Sequence, residues 1–111
     1  MCHIHPRLRR FALFAAVLLW SSLAGAAAPS APVLLVVGDS ISAGYGLPPD
    51  TGWAHLLASR LRRESLPDRV VNASISGDTT AGGRARLPAL LTQHHPGIVV
   101  IELGGNDGLR G

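Results

Sequence analysis

Ser40 stands just beyond an unbroken apolar run, Val33-Leu34-Leu35-Val36-Val37, and only Gly38 and Asp39 separate the two. A serine at the end of a buried strand lies where open α/β sheets keep their ligands and their chemistry. Acyl transfer by serine needs a nucleophile, a base to take its proton, and hydrogen-bond donors aimed at the developing oxyanion. Two later stretches hold donors of that kind. In Ser74-Ile75-Ser76-Gly77-Asp78-Thr79-Thr80, the missing side chain of Gly77 lets a substrate oxygen approach its N–H closely. In Gly104-Gly105-Asn106-Asp107-Gly108, Asn106 offers a neutral amide that cannot titrate away. Each residue also has a plainer reading on its own. Ser40 could cap a helix, Gly77 could serve a turn beside Asp78, and Asn106 could be a loop residue in a left-handed conformation.

What would bring the three together is the order of the elements. Residues 33–37 read as a strand buried on both faces, because the run is apolar throughout rather than alternating. Residues 38–46 follow as a glycine- and serine-rich loop. A helix is expected from about residue 52 to 64, capped by Asp50 or Thr51. Trp53, Leu56, Leu57 and Leu61 would form its inner face, with Arg60, Arg62, Arg63 and Glu64 outside. Residues 69–73 make a second strand, residues 81–94 a second helix that must accommodate Pro88, and residues 98–103 a third buried strand. Strand, helix, strand, helix, strand implies right-handed crossovers and a parallel sheet. All strands then point the same way, and the loops holding Ser40, Gly77 and Asn106 must meet at one edge.

Composition narrows the function. The chain has 111 residues and a formal charge of +3. Arg7, Arg9 and Arg10 crowd the start, and the remaining seven Arg match the seven Asp and Glu, so the basic character belongs to the N-terminus and is no argument for nucleic acid. A basic segment (residues 1–10), an apolar stretch (residues 11–20) and small residues ending in Ala24-Gly25-Ala26 have the layout of a secretory signal peptide. The apolar stretch is shorter than the ~20 residues of a spanning helix. Cleavage by signal peptidase is expected after Ala26. Residues 27–32 would then be a linker, residues 33–111 the domain, and the location periplasmic or secreted. No Cys stands where a lipid-anchored precursor would need one, so no stable membrane anchor is expected. The single cysteine, Cys2, falls in the segment to be removed, which leaves neither a disulfide nor a thiol nucleophile.

Three blocks together resemble the SGNH (GDSL-type) hydrolases, and most closely their bacterial periplasmic thioesterase, protease and lysophospholipase type. They are Gly38-Asp39-Ser40-Ile41-Ser42-Ala43-Gly44-Tyr45-Gly46, Asn72-Ala73-Ser74-Ile75-Ser76-Gly77-Asp78-Thr79, and residues 102–111. The resemblance implies a flavodoxin-like three-layer αβα sandwich, here its first three strand–helix units. It implies Ser40 as nucleophile, Gly77 and Asn106 in the oxyanion hole, and hydrolysis of acyl esters, thioesters and lysophospholipids without metal or cofactor. A carbohydrate-ester deacetylase would use the same three residues with a different acyl pocket, and a secreted, truncated domain without turnover is the non-enzymatic alternative. A phosphate-binding loop is excluded, since residues 38–46 fit neither GxxxxGK[ST] nor GxGxxG and the chain contains no Lys.

One family block is not found in these residues, the late Asp-x-x-His that supplies the base. His94 and His95 precede the third strand and should lie at the opposite edge, ~17–20 Å away. His55 sits within the first helix, and His3 and His5 leave with the leader. Adjacent histidines without nearby Cys or acids make a poor metal site. Residues 27–111 alone are therefore expected to show little or no turnover, because an unassisted serine hydroxyl is a weak nucleophile. They are also expected to be poorly soluble, because the strand at 98–103 would offer an open edge. Saturable ester hydrolysis by that purified segment, or a monodisperse monomer with a cooperative melt, would contradict the respective expectation.

Overall fold

The computed structural model describes Gly25 and residues 27–110. Apart from Gly25, the proposed leader lies outside the described residues. The chain forms β1 (Val33–Gly38), α1 (Ser40–Ala43), α2 (Trp53–Arg63), β2 (Arg69–Asn72), α3 (Thr80–His94), β3 (Ile98–Glu102) and α4 (Gly105–Arg110). The three strands make one parallel sheet in the order β2-β1-β3. The centre of the sheet is thus the first strand, and Leu35 is flanked by Val71 on one side and Val99 on the other.

That position explains the unbroken apolar run. All six residues of β1 are buried, and Leu35 and Val36 are wholly inaccessible. Val33, Leu35 and Val37 share one face and pack with Val71, Ala73, Leu87, Leu90 and Leu103, which places α3 over that face. Leu34 stands in register with Val70 on the other face, where Ala58 and Arg62 of α2 line a cleft shared with Val70. A helix on each side of a parallel sheet gives the three layers. Gly83 lets α3 come close, because a Cβ there would run into Leu103. The helix continues through Pro88, which leaves the carbonyl of the exposed Arg84 without its usual intrahelical donor.

Four expectations need correction. The cap of α2 is Gly52, with no side-chain cap bond, so neither Asp50 nor Thr51 caps it. Leu56 is 55% exposed rather than inward. The buried residue of α2 is Ala54, and at 3.6 residues per turn Leu56 lies about 200° round from it, beside Arg60 and Arg63. The third strand is not a buried one either: Ile98 and Ile101 are 50% and 59% exposed, because β3 has a single neighbour among the described residues. The stretch after β3 is not a plain loop, since residues from Gly105 onward wind into α4.

Replacing Leu35 by Ala should cost about 2–5 kcal/mol, through lost transfer energy plus the cavity left behind. Denaturant unfolding of the full-length protein measures this, and a loss below 1 kcal/mol would show that β1 is not the centre of the core.

Candidate active site

Parallel pairing brings the ends of β1, β2 and β3 to one edge, and hydrogen bonds then knit the segments beyond them. The Ile75 N–H donates to the Gly38 carbonyl (3.0 Å), joining the second edge loop to the end of β1. The Asp78 N–H donates back to the Ile75 carbonyl (3.0 Å) and closes a turn through Gly77. Gly77 has φ +83°, a left-handed conformation that glycine adopts without strain.

Ser40 is the first residue of α1, and the cap is its neighbour Asp39. Asp39 is 3% exposed, and its Oδ1 accepts from the Ile41 N–H at 3.0 Å. The helix-cap reading of Ser40 therefore passes to Asp39. Among the described residues, the half-buried Ser40 hydroxyl takes part in no hydrogen bond. Asn106 is the second residue of α4, and the left-handed residue nearby is Gly104 (φ +124°), so the loop-conformation reading does not apply to Asn106.

The Asn106 side chain is what joins the three segments. Its Nδ2 donates to the Asp78 carbonyl at 2.9 Å and to Asp39 Oδ2 at 3.3 Å. One amide thus connects the residue before Ser40 with the residue after Gly77. Further bonds hold the same edge. Arg86 of α3 reaches Asp78 Oδ2 through Nη2 (2.6 Å) and Nε (3.2 Å), and its Nη1 donates to the Ala73 carbonyl at 2.9 Å. Arg110 Nη2 donates to the Gly77 carbonyl at 2.9 Å. The Thr80 N–H and hydroxyl donate to the two oxygens of Asp107, at 2.9 and 2.6 Å. The Thr80 hydroxyl, and after it the Thr80 N–H, hold the Asp107 carboxyl below the usual carboxylate range.

The histidines take no part in this knot. His94 ends α3 and His95 caps it, at the edge where β3 begins. His55 Nδ1 lies 3.4 Å from Asp50 Oδ1 and lines a cleft of about 220 Å³ with Ser42, Gly44 and Asn72, to which Ser40 does not contribute. Among the described residues no three His, Cys, Asp or Glu side chains cluster as metal ligands, and no helix is long and apolar enough to cross a membrane. The sequence reading missed Asp39 as the cap and as the partner of Asn106. An Asp directly after a strand and before a helical turn is an N-cap signal. The Arg86–Asp78 pair had no comparable signal.

The family model of GDSL-like lipases and acylhydrolases matches residues 36–111. The chain is 67% identical over 82 residues to an esterase, TesA, of Pseudomonas aeruginosa, covering 74% of this chain and 41% of that protein. It is 55% identical over 84 residues to thioesterase 1/protease 1/lysophospholipase L1 of Escherichia coli, covering 76% of this chain and 39% of the relative. A crystal structure of TesA superimposes with a TM-score of 0.69 at 68% identity, over 71% of this chain and 44% of that one. The chain therefore spans about two fifths of the length of the curated relatives it matches.

The lowered pKa of Asp107, held down by the Thr80 hydrogen bonds, implies a pH dependence. A carboxyl with a folded-state pKa below its unfolded value stabilises the fold above the unfolded pKa, and that contribution fades as pH falls through the folded pKa. The full-length protein should thus exceed its Asp107→Asn variant in unfolding midpoint near neutrality, and the gap should close below the usual carboxylate range. A gap that is constant with pH would show that the Thr80 contact does not depend on the charge.

Proposed function

The chain belongs to the GDSL-like lipase/acylhydrolase family, whose relatives are esterases and thioesterases, and we propose that Ser40 is the nucleophile of a serine hydrolase acting on acyl esters and thioesters, lysophospholipids included. The backbone N–H groups of Ser40 and Gly77 and the Nδ2 of Asn106 form its oxyanion hole. The observation that carries this reading is the bridge made by the Asn106 amide between Asp39 and Asp78. It ties together the three segments that must act on one carbonyl.

In this mechanism the Ser40 oxygen attacks the acyl carbonyl, and the carbonyl oxygen becomes an oxyanion within reach of the three donors. The alcohol or thiol leaves, and water then releases the acyl group from Ser40. The two partners of Asn106 are unequal. The bond to the Asp78 carbonyl is short and fixes the side chain, while that to Asp39 is 0.4 Å longer, from 3.3 and 2.9 Å. The longer bond is the one an oxyanion replaces. None of His55, His94 and His95 is placed to take the Ser40 proton, so the base is assigned to the family's Asp-x-x-His block outside the described residues. Residues 1–26 act as an export leader and residues 27–32 as a linker, which fits a periplasmic or secreted enzyme. The reaction needs no cofactor. The substrate classes rest on the names of the esterase and thioesterase relatives.

Labelling of the full-length protein by a fluorophosphonate probe tests the proposal. The wild type should label covalently and Ser40→Ala should not. Asn106→Ala should lower kcat on an acyl ester by about 10²–10³, as expected for one lost oxyanion donor. A labelled, active Ser40→Ala variant would overturn the assignment, and unimpaired turnover by Asn106→Ala would remove Asn106 from the oxyanion hole.

A further inference from the structure

The turn that carries Ser40 is too short to hold itself in place. α1 has four residues, and a single helical turn has no stability of its own in water. Its front is tied by Asp39. Its back is tied by Ser42, which is 1% exposed and has every polar atom of its hydroxyl and carbonyl engaged. The Ser42 hydroxyl donates to Glu102 Oε2 at 2.8 Å and accepts from Trp53 Nε1 at 3.1 Å. The Ser42 carbonyl accepts from Asn72 Nδ2 at 2.8 Å. One buried residue therefore joins α1 to the start of α2, to the end of β2 and to the end of β3.

The backbone is shaped for this contact. A Cβ at Gly38 would stand 2.6 Å from both Cβ and Oγ of Ser42 and 3.1 Å from the Glu102 carbonyl oxygen. Only a residue without a side chain lets Ser42 settle over the ends of β1 and β3. At 3.6 residues per turn, Ser40 lies about 200° round α1 from Ser42. Seating Ser42 inward consequently turns Ser40 the other way, and the Glu102 carboxylate is the acceptor that seats it.

We propose that Ser42 and Glu102 are positioning residues for Ser40, a clamp between a buried serine and a half-buried carboxylate that sets the orientation of the nucleophile-bearing turn. The proposal rests on the reading of Ser40 as nucleophile. Glu102 does not touch the reacting atoms. Its part is to hold the Ser42 hydroxyl, and through it the whole of α1, against the end of β3.

The test compares Glu102→Ala, Glu102→Gln, Ser42→Ala and Ser40→Ala in the full-length protein. Its readouts are the fluorophosphonate labelling rate and kcat and KM on an acyl ester. Misplacing a reacting group by about 1 Å can cost about 10² in rate, so Glu102→Ala and Ser42→Ala should lower kcat and the labelling rate by about that factor. KM should stay unchanged, because substrate binding does not need the nucleophile aligned. Glu102→Gln keeps an oxygen that accepts from Ser42 and should recover most of the loss. Should Ser42→Ala fail to fold, the Glu102 pair decides. Wild-type labelling by Glu102→Ala, equal losses in the Ala and Gln variants, or a change confined to KM would each overturn the clamp. An inert Ser40→Ala beside unimpaired Glu102→Ala removes the clamp alone, whereas an active Ser40→Ala removes the nucleophile reading beneath it.

Discussion

Complete burial of β1 constrains everything at the site edge. A strand covered on both faces and paired on both sides offers its polar groups no water until it ends, so the first residues beyond it are the first that can do chemistry. Those residues are Asp39 and Ser40. Gly38 is the last buried residue of the strand, Asp39 caps the following turn, and Ser40 is the first residue with a free hydroxyl. The rigidity of the core is passed directly to the turn, with no intervening loop to absorb it. Catalytic geometry tolerates errors of only about 1 Å, and the nucleophile proposed at Ser40, attached to the best-packed strand, meets that demand better than one on a long loop.

Carboxylates do most of the fastening at this edge. Asp39 holds the start of α1 and the amide of Asn106, Asp78 takes Arg86, Asp107 takes Thr80, and Glu102 takes Ser42. Four acids near one sheet edge would repel one another if left bare. Each instead accepts hydrogen bonds, and Arg86 adds a positive charge inside the cluster, 2.6 Å from Asp78. Hydrogen bonds to ionised acceptors are stronger and shorter than neutral ones, which suits segments with little helical or strand structure of their own. The groups proposed to meet the substrate are by contrast uncharged: a hydroxyl, two backbone N–H groups and an amide. Charge positions the site, and neutral dipoles face the reaction.

Local pattern and long-range contact were unequally readable from the residues. The strands at 33–37, 69–73 and 98–103, the parallel order and the meeting of three loops all follow from apolar runs and turn residues, which act over a few positions. Leu56 went astray because Trp53, Leu56, Leu57 and Leu61 cover an arc of about 140°, and only packing reveals that the buried point of the helix, Ala54, lies at the end of that arc far from Leu56. The exposure of β3 depends on which strands flank it, a property of the sheet rather than of residues 98–102. The Ser42–Glu102 bond links positions 60 apart and Asn106–Asp39 positions 67 apart. No spacing rule connects such residues. Ser42 was visible only as a small residue in a glycine-rich loop.

The proton acceptor is a separate matter of geometry. The proposed oxyanion donors can all sit on the first three loops because parallel strands deliver their ends to the same place. A base before β3 cannot follow them there: His94 and His95 stand at the beginning of that strand, and its five residues span about 17 Å at 3.3 Å each. His55 is nearer in the fold, but its ring faces Asp50 across a cleft that Ser40 does not line. A residue that takes the Ser40 proton must approach from the solvent side of the three loops, because the protein side is filled by Ser42, Trp53 and the end of β1. In the proposed mechanism the anion-stabilising groups lie on strand ends, held by the packing of the sheet, and do not depend on how the proton acceptor is positioned.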